Sequence, residues 1–147
     1  MIPLITSMNT PRSLVGFFLI ATVGFASMLS AQDAGDAIVD GIRAQLKDSS
    51  KPFTLVVKIR AKEGASQQLE AAFAEAIPPT RKEHGCLRYE LNRSMKTASE
   101  YIVYERWASL EDIRKHIKGP NIAKLMEQLG AVSEGQPDFT VLVPAAE

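Results

Sequence analysis

The sequence predicts an α+β fold in which four antiparallel strands form one sheet and helices cover one face of it. Four short segments alternate apolar and polar residues with the period of two that is typical of half-buried strands. Two segments with helical apolar spacing separate the first strand from the second and the third from the fourth. Residues 94–99 form a short polar link between the middle strands, as in a hairpin. The order strand, helix, strand, strand, helix, strand predicts a ferredoxin-like βαββαβ arrangement.

Residues 1–31 have the pattern of a secretory signal. Arg12 is the only charged residue among the first 32, and an apolar run, Ser13–Leu29, follows it. We expect cleavage near Ala31, with Ala26 as the alternative, and therefore export to the periplasm or the medium. If the run is not removed, its length of about 17 residues is at the lower limit for a membrane anchor.

Residues 32–51 form a boundary segment in front of the main domain, which we assign to residues 52–147. Apolar residues between Asp33 and Asp48 have the spacing of one helical face, and Ser49 to Pro52 then break the pattern. The segment is expected to be a short helix that packs on the domain or on a partner subunit. A mobile tether is the alternative.

The first half of the domain predicts a strand and a long helix. The strand is Phe53 to Arg60, and the helix begins at Ser66, which can cap it. Proline in a helix interior costs about 3 kcal/mol or more, so Pro78-Pro79 predict a kink or a restart. Gly85 is a natural stop for the helix.

The second half predicts three strands and a divided helix. In the strand Cys86 to Arg93, Leu87, Tyr89 and Leu91 share one face. In the strand Tyr101 to Trp107, one face carries Tyr101, Val103, Glu105 and Trp107, and the other carries Ile102, Tyr104 and Arg106. A helix capped by Ser109, a break at Gly119-Pro120, a helical stretch up to Gly130 and a last strand, Phe139 to Val143, complete the domain. Because both faces of the first and third strands carry apolar or aromatic residues, the helix-free face is expected to pack on a second copy.

Composition excludes several functions. Without Arg12, 16 of the 17 Lys and Arg residues remain against 17 Asp and Glu, so charge favours neither nucleic acid nor an anionic membrane as partner. Cys86 is the only cysteine and is expected to be a small buried residue. The sequence has no Gly-rich phosphate loop, nucleophile motif, or flavin or nicotinamide fingerprint. Two histidines are too few for a metal site without carboxylate help.

The candidate site residues are few. His116 flanks the apolar stripe of its helix and could accept a proton near pH 7, although it could also simply be hydrogen-bonded near a helix end. His84 lies in a helix stop, where a cation is favourable. Trp107 could stack on a flat substrate, pack in the core, or do both. Glu105 needs a partner or solvent, and the possible partners are Arg60, Arg88 and Arg93.

Further polar groups could contact a ligand. Tyr89, Tyr101 and Tyr104 could donate hydrogen bonds to a quinone-like oxygen, although strand tyrosines commonly serve packing. Asn92 and Asn121 offer neutral polar contacts, with roles in loops or turns as the alternative.

Residues Phe53 to Pro144 resemble the antibiotic-biosynthesis-monooxygenase domains, in particular their quinol monooxygenase branch. The resemblance is carried by Pro79, Lys82-Glu83-His84-Gly85-Cys86, Tyr89, Tyr104-Glu105-Arg106-Trp107, Leu110 through His116, Gly119-Pro120 and Asn121. It implies that two copies join their sheets as a dimeric α/β-barrel, and that a quinol or similar small aromatic is oxidised by O₂ without metal, flavin or haem. His116 matches the helix histidine of the family and Trp107 its strand tryptophan. Relatives often have a second histidine where this chain has Asn121.

Two other functions remain open on the sequence alone. One is a non-catalytic dimeric module that binds a small hydrophobic ligand, which Asn121 in place of a histidine favours. The other is haem binding or degradation, which also occurs within the family.

Overall fold

The computed structural model describes residues 31–145, which fold into four helices and four strands. The expected signal segment lies outside the described residues except for its last residue. Among the described residues, no helix is long and apolar enough to cross a membrane. The elements are α1 (Ala31–Arg43), β1 (Phe53–Ala61), α2 (Ser66–Thr80), β2 (Cys86–Arg93), β3 (Glu100–Trp107), α3 (Leu110–Ile117), α4 (Pro120–Val132) and β4 (Ser133–Leu142).

The four strands form one antiparallel sheet in the order β2-β3-β1-β4, which confirms the predicted ferredoxin-like fold. β1, one of the two inner strands, pairs with β3 on one side and with β4 on the other. Residues on β3 alternate between buried and half-buried along its whole length, with Tyr101, Val103, Glu105 and Trp107 on the buried side. This side of the sheet packs against the helices and forms one hydrophobic core with them.

Three predicted boundaries are wrong. α2 ends at Thr80 rather than at Gly85, because residues 81–85 form turns and a bend. β4 begins at Ser133 rather than at Phe139, because Ser133 and Glu134 already pair with the end of β1, across a register shift that breaks the alternation. α1 ends at Arg43 rather than at Asp48, because residues 44–50 form turns and bends. Val39 and Ile42 of α1 are buried in the core of the domain.

The helix α2 passes through Pro78-Pro79 without the expected restart. Both prolines lie in its last turn and are exposed. The amide of Arg81 still donates to the carbonyl of Ile77 at 3.0 Å, which continues the helical turn beyond the prolines.

Leu87 does not share the buried face of β2 as predicted. The register of β2 shifts between Cys86, which pairs with Trp107, and Arg88, which pairs with Arg106. Leu87 is the additional residue in this irregularity, and it is 53% exposed. Tyr89 is buried, as the alternation predicts.

The turn that leads into β2 is held against the start of α3. Gly85 has φ +76° and lies directly beside the buried Asp112, so that a Cβ at this position would be 2.2 Å from the Asp112 Cγ. Asp112 accepts a hydrogen bond from the Ser109 hydroxyl at 2.6 Å, and its other oxygen is 2.7 Å from Nδ1 of His84. The turn therefore requires glycine both for its backbone angle and for the close approach.

Replacing Gly85 by Ala should destabilise the fold more than the same change at Gly64. Gly64 has a similar φ of +74° but no neighbouring atom within 4 Å of where a methyl group would lie, so Gly64→Ala should cost only the left-handed backbone term, about 1 kcal/mol. Gly85→Ala should cost about 1–2 kcal/mol more because Asp112 must move. Urea unfolding of both variants measures the difference. Equal losses would mean that the contact with Asp112 carries no energy.

Candidate active site

A cavity of about 620 Å³ lies between the buried side of the sheet and the helices. Its walls are mainly apolar and come from both layers. Sheet residues in the lining include Leu55, Val57, Ile59 and Val103, and helix residues include Phe73, Ile113, Ile117, Ile122 and Leu125. Three buried residues with titratable side chains also line it, namely Tyr89, Glu105 and His116. Such a pocket, with few polar groups in an apolar wall, is typical of a small-molecule site.

His116 is held at the cavity by contacts on several sides. Its α3 helix starts at the cap of Ser109, whose hydroxyl accepts from the amide of Asp112. The imidazole is almost fully buried, and its centroid lies 4.7 Å from that of the Trp107 ring and 5.5 Å from that of Tyr89. Its Nδ1 is 2.7 Å from Oε2 of Glu83, which lies in the turn between α2 and β2. The ring is therefore fixed in position and in orientation.

The surroundings of His116 favour a neutral ring with a free acceptor nitrogen. Burial lowers the pKa of His116, and this outweighs the neighbouring Glu83 carboxylate, which raises it. A carboxylate can only accept a hydrogen bond, so Nδ1 carries the proton of the neutral ring and Nε2 keeps its lone pair. This is the protonation state that a general base requires near pH 7.

Glu105 is a second buried group in the cavity wall. Its Oε2 accepts a hydrogen bond of 2.9 Å from the indole Nε1 of Trp107, two residues further on the same strand face. Burial raises the pKa of Glu105 to about 7; the bond from Trp107 acts in the opposite direction, and the charge of Glu83 raises the pKa further. Glu105 can therefore hold or release a proton near neutrality.

Tyr89 lies between these two groups. It pairs with Glu105 across β2 and β3, and its ring meets His116 edge-on. Burial and the charge of Glu105 raise the pKa of Tyr89 well above its ordinary value. Its hydroxyl therefore keeps its proton near neutrality and can act as a hydrogen-bond donor.

The structure brings together some of the predicted site residues and separates others. His116, Glu105 and Tyr89 line the cavity, and Trp107 packs fully buried against the first two. Tyr104 points to the opposite, helix-free face of the sheet and does not line the cavity of its own chain. Asn121 is also outside the lining; its amide nitrogen donates to the carbonyl of Ala76 at 3.2 Å and to the Thr80 hydroxyl at 2.8 Å, which ties α4 to α2.

The arginines considered as partners of Glu105 pair elsewhere. Arg60 pairs with Glu100, Arg88 with Glu90 and Arg93 with Glu70. The indole of Trp107 takes their place as the hydrogen-bond donor to Glu105. Because a tryptophan donates without carrying charge, the carboxyl stays in an uncompensated apolar setting, and this is why its pKa is raised.

Sequence reasoning missed two features of this neighbourhood. Glu83, the hydrogen-bond partner of His116, is 33 residues away in sequence, and no local pattern links the two. His84 bonds to Asp112 rather than serving only as a cation at a helix end. Within residues 31–145, no three His, Cys, Asp or Glu side chains are grouped so that they could hold a metal ion.

Comparison with known proteins gives relatives that match the described domain. Rv0793 from Mycobacterium tuberculosis, a protein named provisionally as a monooxygenase, is 28% identical over 98 residues, which are 67% of this chain and 96% of the relative. Its solved structure has a TM-score of 0.62 and 28% identity, and the match covers 66% of this chain and 98% of that one.

Two further solved structures share the fold. PA3566 from Pseudomonas aeruginosa has a TM-score of 0.62 at 23% identity, over 67% of this chain and 99% of that one. SnoaB, a cofactor-independent oxygenase from Streptomyces nogalater, has a TM-score of 0.59 at 18% identity, over 66% of this chain and 96% of that one. At these identities the likeness is one of fold alone.

The family model described as antibiotic biosynthesis monooxygenase matches residues 52–128, more than half of the chain. The match includes β1, α2, β2, β3 and α3, and with them every group described above at His116 and Glu105. The chain therefore belongs to the antibiotic biosynthesis monooxygenase family.

Proposed function

We propose that the protein is a cofactor-independent monooxygenase that oxidises a quinol or a similar small aromatic with O₂. The observation that carries the proposal is the buried His116, which lines an apolar cavity of about 620 Å³ and whose Nδ1 is 2.7 Å from Oε2 of Glu83. The resemblance of the chain to the quinol monooxygenase branch supports this substrate class, and the family match over residues 52–128 supports the monooxygenase activity.

The first step is removal of a proton from a hydroxyl of the substrate. His116 accepts this proton on Nε2 and becomes an imidazolium, which the Glu83 carboxylate at 2.7 Å stabilises. Deprotonation makes the aromatic ring electron-rich enough to transfer one electron to O₂. The protein needs no redox group of its own for this transfer, because the substrate is the reductant.

The later steps follow from the balance of atoms and electrons. Superoxide and the substrate radical combine at a ring carbon, and the resulting peroxide loses water as the ring is oxidised to a hydroxyquinone. One oxygen atom of O₂ enters the product and the other leaves as water. The substrate supplies all four electrons, so no further reductant is required.

Glu105 and Tyr89 position the substrate in this scheme. Glu105, with its pKa raised to about 7, accepts a hydrogen bond from a second hydroxyl of the substrate or donates one to a developing quinone oxygen. The hydroxyl of Tyr89 keeps its proton and serves as a donor. Trp107 fixes His116 by ring packing and Glu105 by its hydrogen bond, so its role is to position both.

We also propose that the protein acts as a homodimer after export, with cleavage near Ala31. The helix-free face of the sheet carries Val56, Ile102 and Tyr104, each of them only half-buried in the single chain. A second copy would cover these side chains, as the family resemblance implies. In that arrangement Tyr104 belongs to the subunit interface rather than to the cavity of its own chain.

Oxygen uptake tests the proposed activity. The purified protein, without added metal, flavin or haem, should consume about one O₂ for each molecule of a reduced 1,4-naphthoquinol, and mass spectrometry should find one atom of ¹⁸O in the product. A rate no higher than that of the quinol alone in buffer would refute the proposal.

A second candidate function is non-catalytic binding of a small hydrophobic ligand. It is favoured by Asn121, because this residue stands where relatives often have a second histidine, and its amide is not a base and bonds to α2 instead of facing the cavity. Saturable ligand binding without oxygen uptake would support this alternative.

A further inference from the structure

The helix α1 lies outside the part of the chain that defines the family. The family model begins at residue 52, whereas α1 spans Ala31–Arg43. Rv0793 is matched over 98% of its own length and PA3566 over 99%, while about a third of this chain remains outside each match. These relatives therefore have almost no residues left from which a counterpart of a thirteen-residue helix could be formed.

This additional helix is built into the domain. Val39 and Ile42 are buried in the common core, and Gly35 packs so closely that a Cβ would be 3.3 Å from Cγ2 of Ile117. The side chain of Lys118, which follows α3, forms an ion pair of 2.5 Å with Asp36. In the segment that follows α1, the backbone carbonyl of Ser49 accepts a hydrogen bond of 2.9 Å from the backbone amide of Leu110.

One face of α1 forms part of the cavity wall. Ala34, Gly35 and Ile38 line the cavity, and Ile117, the neighbour of Gly35, lines it as well. Ile117 directly follows His116 on α3, so this wall borders the proton-accepting group. The opposite face of the helix, which includes Ala37, is exposed.

We propose that α1 is a specificity-determining wall that restricts the cavity to compact aromatics with a short side chain or none. The proposal rests on the proposed function in that the ligand is taken to be the substrate of this cavity. Ile38 projects a branched side chain into the lining, while Ala34 and Gly35 leave room beside it. A ligand with a longer alkyl chain would collide with α1. A domain that began at β1, without α1, would leave this side of the cavity open.

Binding of oxidised naphthoquinones tests this role without turnover. Trp107 is the only tryptophan of the chain and packs on His116, so a quinone bound in the cavity should quench its emission. The probes are 2-methyl- and 2-butyl-1,4-naphthoquinone. Wild-type protein should bind the methyl compound more tightly, and Ile38→Ala should bind the butyl compound about tenfold more tightly than wild type, with the methyl compound changed less than about twofold.

A matched pair of substitutions on the same helix provides the control. Ala34→Phe should weaken binding of the methyl compound by about tenfold or more, because its ring enters the cavity. Ala37→Phe adds the same ring on the exposed face and should leave binding unchanged. Thermal unfolding shows whether each variant is folded, and Ile38→Ala, which only removes atoms, tests the wall independently of any displacement of the helix.

The outcomes separate this proposal from the proposed function. Equal quinone affinities in Ala34→Phe and Ala37→Phe, or an unchanged chain-length preference in Ile38→Ala, would overturn the role of α1. Quinone binding with the expected effects but no oxygen uptake would support the role of α1 and refute only the monooxygenase activity.

Discussion

Replacing His116 by Ala should lower the rate of oxygen uptake by about 10²–10⁴-fold, the usual contribution of a positioned general base. The physical reason is that Nε2 of His116 is the acceptor in a cavity whose other walls are mainly apolar. Because burial lowers the pKa of His116, the wild-type enzyme should keep its neutral base at pH 7 and lose activity only below the ordinary imidazole pKa of 6.5. Initial rates between pH 4.5 and 8 measure both effects.

His84 provides the control for this experiment. It is the only other histidine of the chain, its side chain is 89% exposed, and it contacts Asp112 instead of the cavity. His84→Ala should keep the wild-type rate and pH profile. Added imidazole should partly restore His116→Ala, because it can enter the space left by the side chain, and a purely structural defect would not respond in this way. Oxygen uptake by His116→Ala at the wild-type rate would show that the assigned role is wrong.

The contribution of Glu105 to the free energy of unfolding should fall as the pH rises from 4.5 to 7, and Glu105→Gln should remove this contribution. The pKa of Glu105 is about 7 in the folded protein against 4.5 for an exposed glutamate, so the folded state binds more protons in this interval. The stabilising effect of the protonated form is complete below 4.5 and is lost as the pH rises through about 7. Since each pH unit between the two pKa values corresponds to about 1.4 kcal/mol, the full change is about 3 kcal/mol.

The measurement is the difference in unfolding free energy between Glu105→Gln and wild type at several pH values. Between pH 4.5 and 8, the unfolding free energy of the variant should rise by about 3 kcal/mol relative to that of wild type. Any destabilisation by the amide itself is the same at every pH and does not affect this change. Glu63→Gln, in the exposed turn after β1, is the matched control and should show no such trend. Parallel pH profiles for wild type and Glu105→Gln would mean that Glu105 is ionised normally in the folded protein.

The fold can be predicted from the sequence because the relevant signals are local. The alternation from Tyr101 to Trp107 and the capping Ser109 each report a short-range preference, and the structure contains both features. Gly85 adopts the positive φ of a turn glycine, but it is not the end of α2, which ends at Thr80. The two errors in the sheet have a common cause. β4 starts early at Ser133 and Leu87 turns outward because strand pairing crosses register irregularities, which depend on the partner strand and leave no periodic signal.

The site is predictable in its residue types but not in its pairings. The sequence indicates that Glu105 requires a partner, and the alternation places Trp107 on the same face, yet neither signal specifies the hydrogen bond between them. The hydrogen bond that His116 donates to Glu83 depends on how the turn between α2 and β2 packs against α3, and this is a property of the tertiary structure. The bonds from Asn121 to α2 are equally non-local, so the sequence does not distinguish this structural role from a ligand contact.

The inner position of β1 has a consequence for the order in which the protein can assemble. Thr54 pairs with Arg106 on one side and with Leu142 on the other, so the start of the domain meets its last residues in the middle of the sheet. Contacts of such high sequence separation must form by closing long loops, so folding should be slower than that of helical bundles, which fold in microseconds to milliseconds. Until Leu142 has emerged from the ribosome, one side of β1 has no partner strand. The native state should therefore form only after synthesis of the domain is complete.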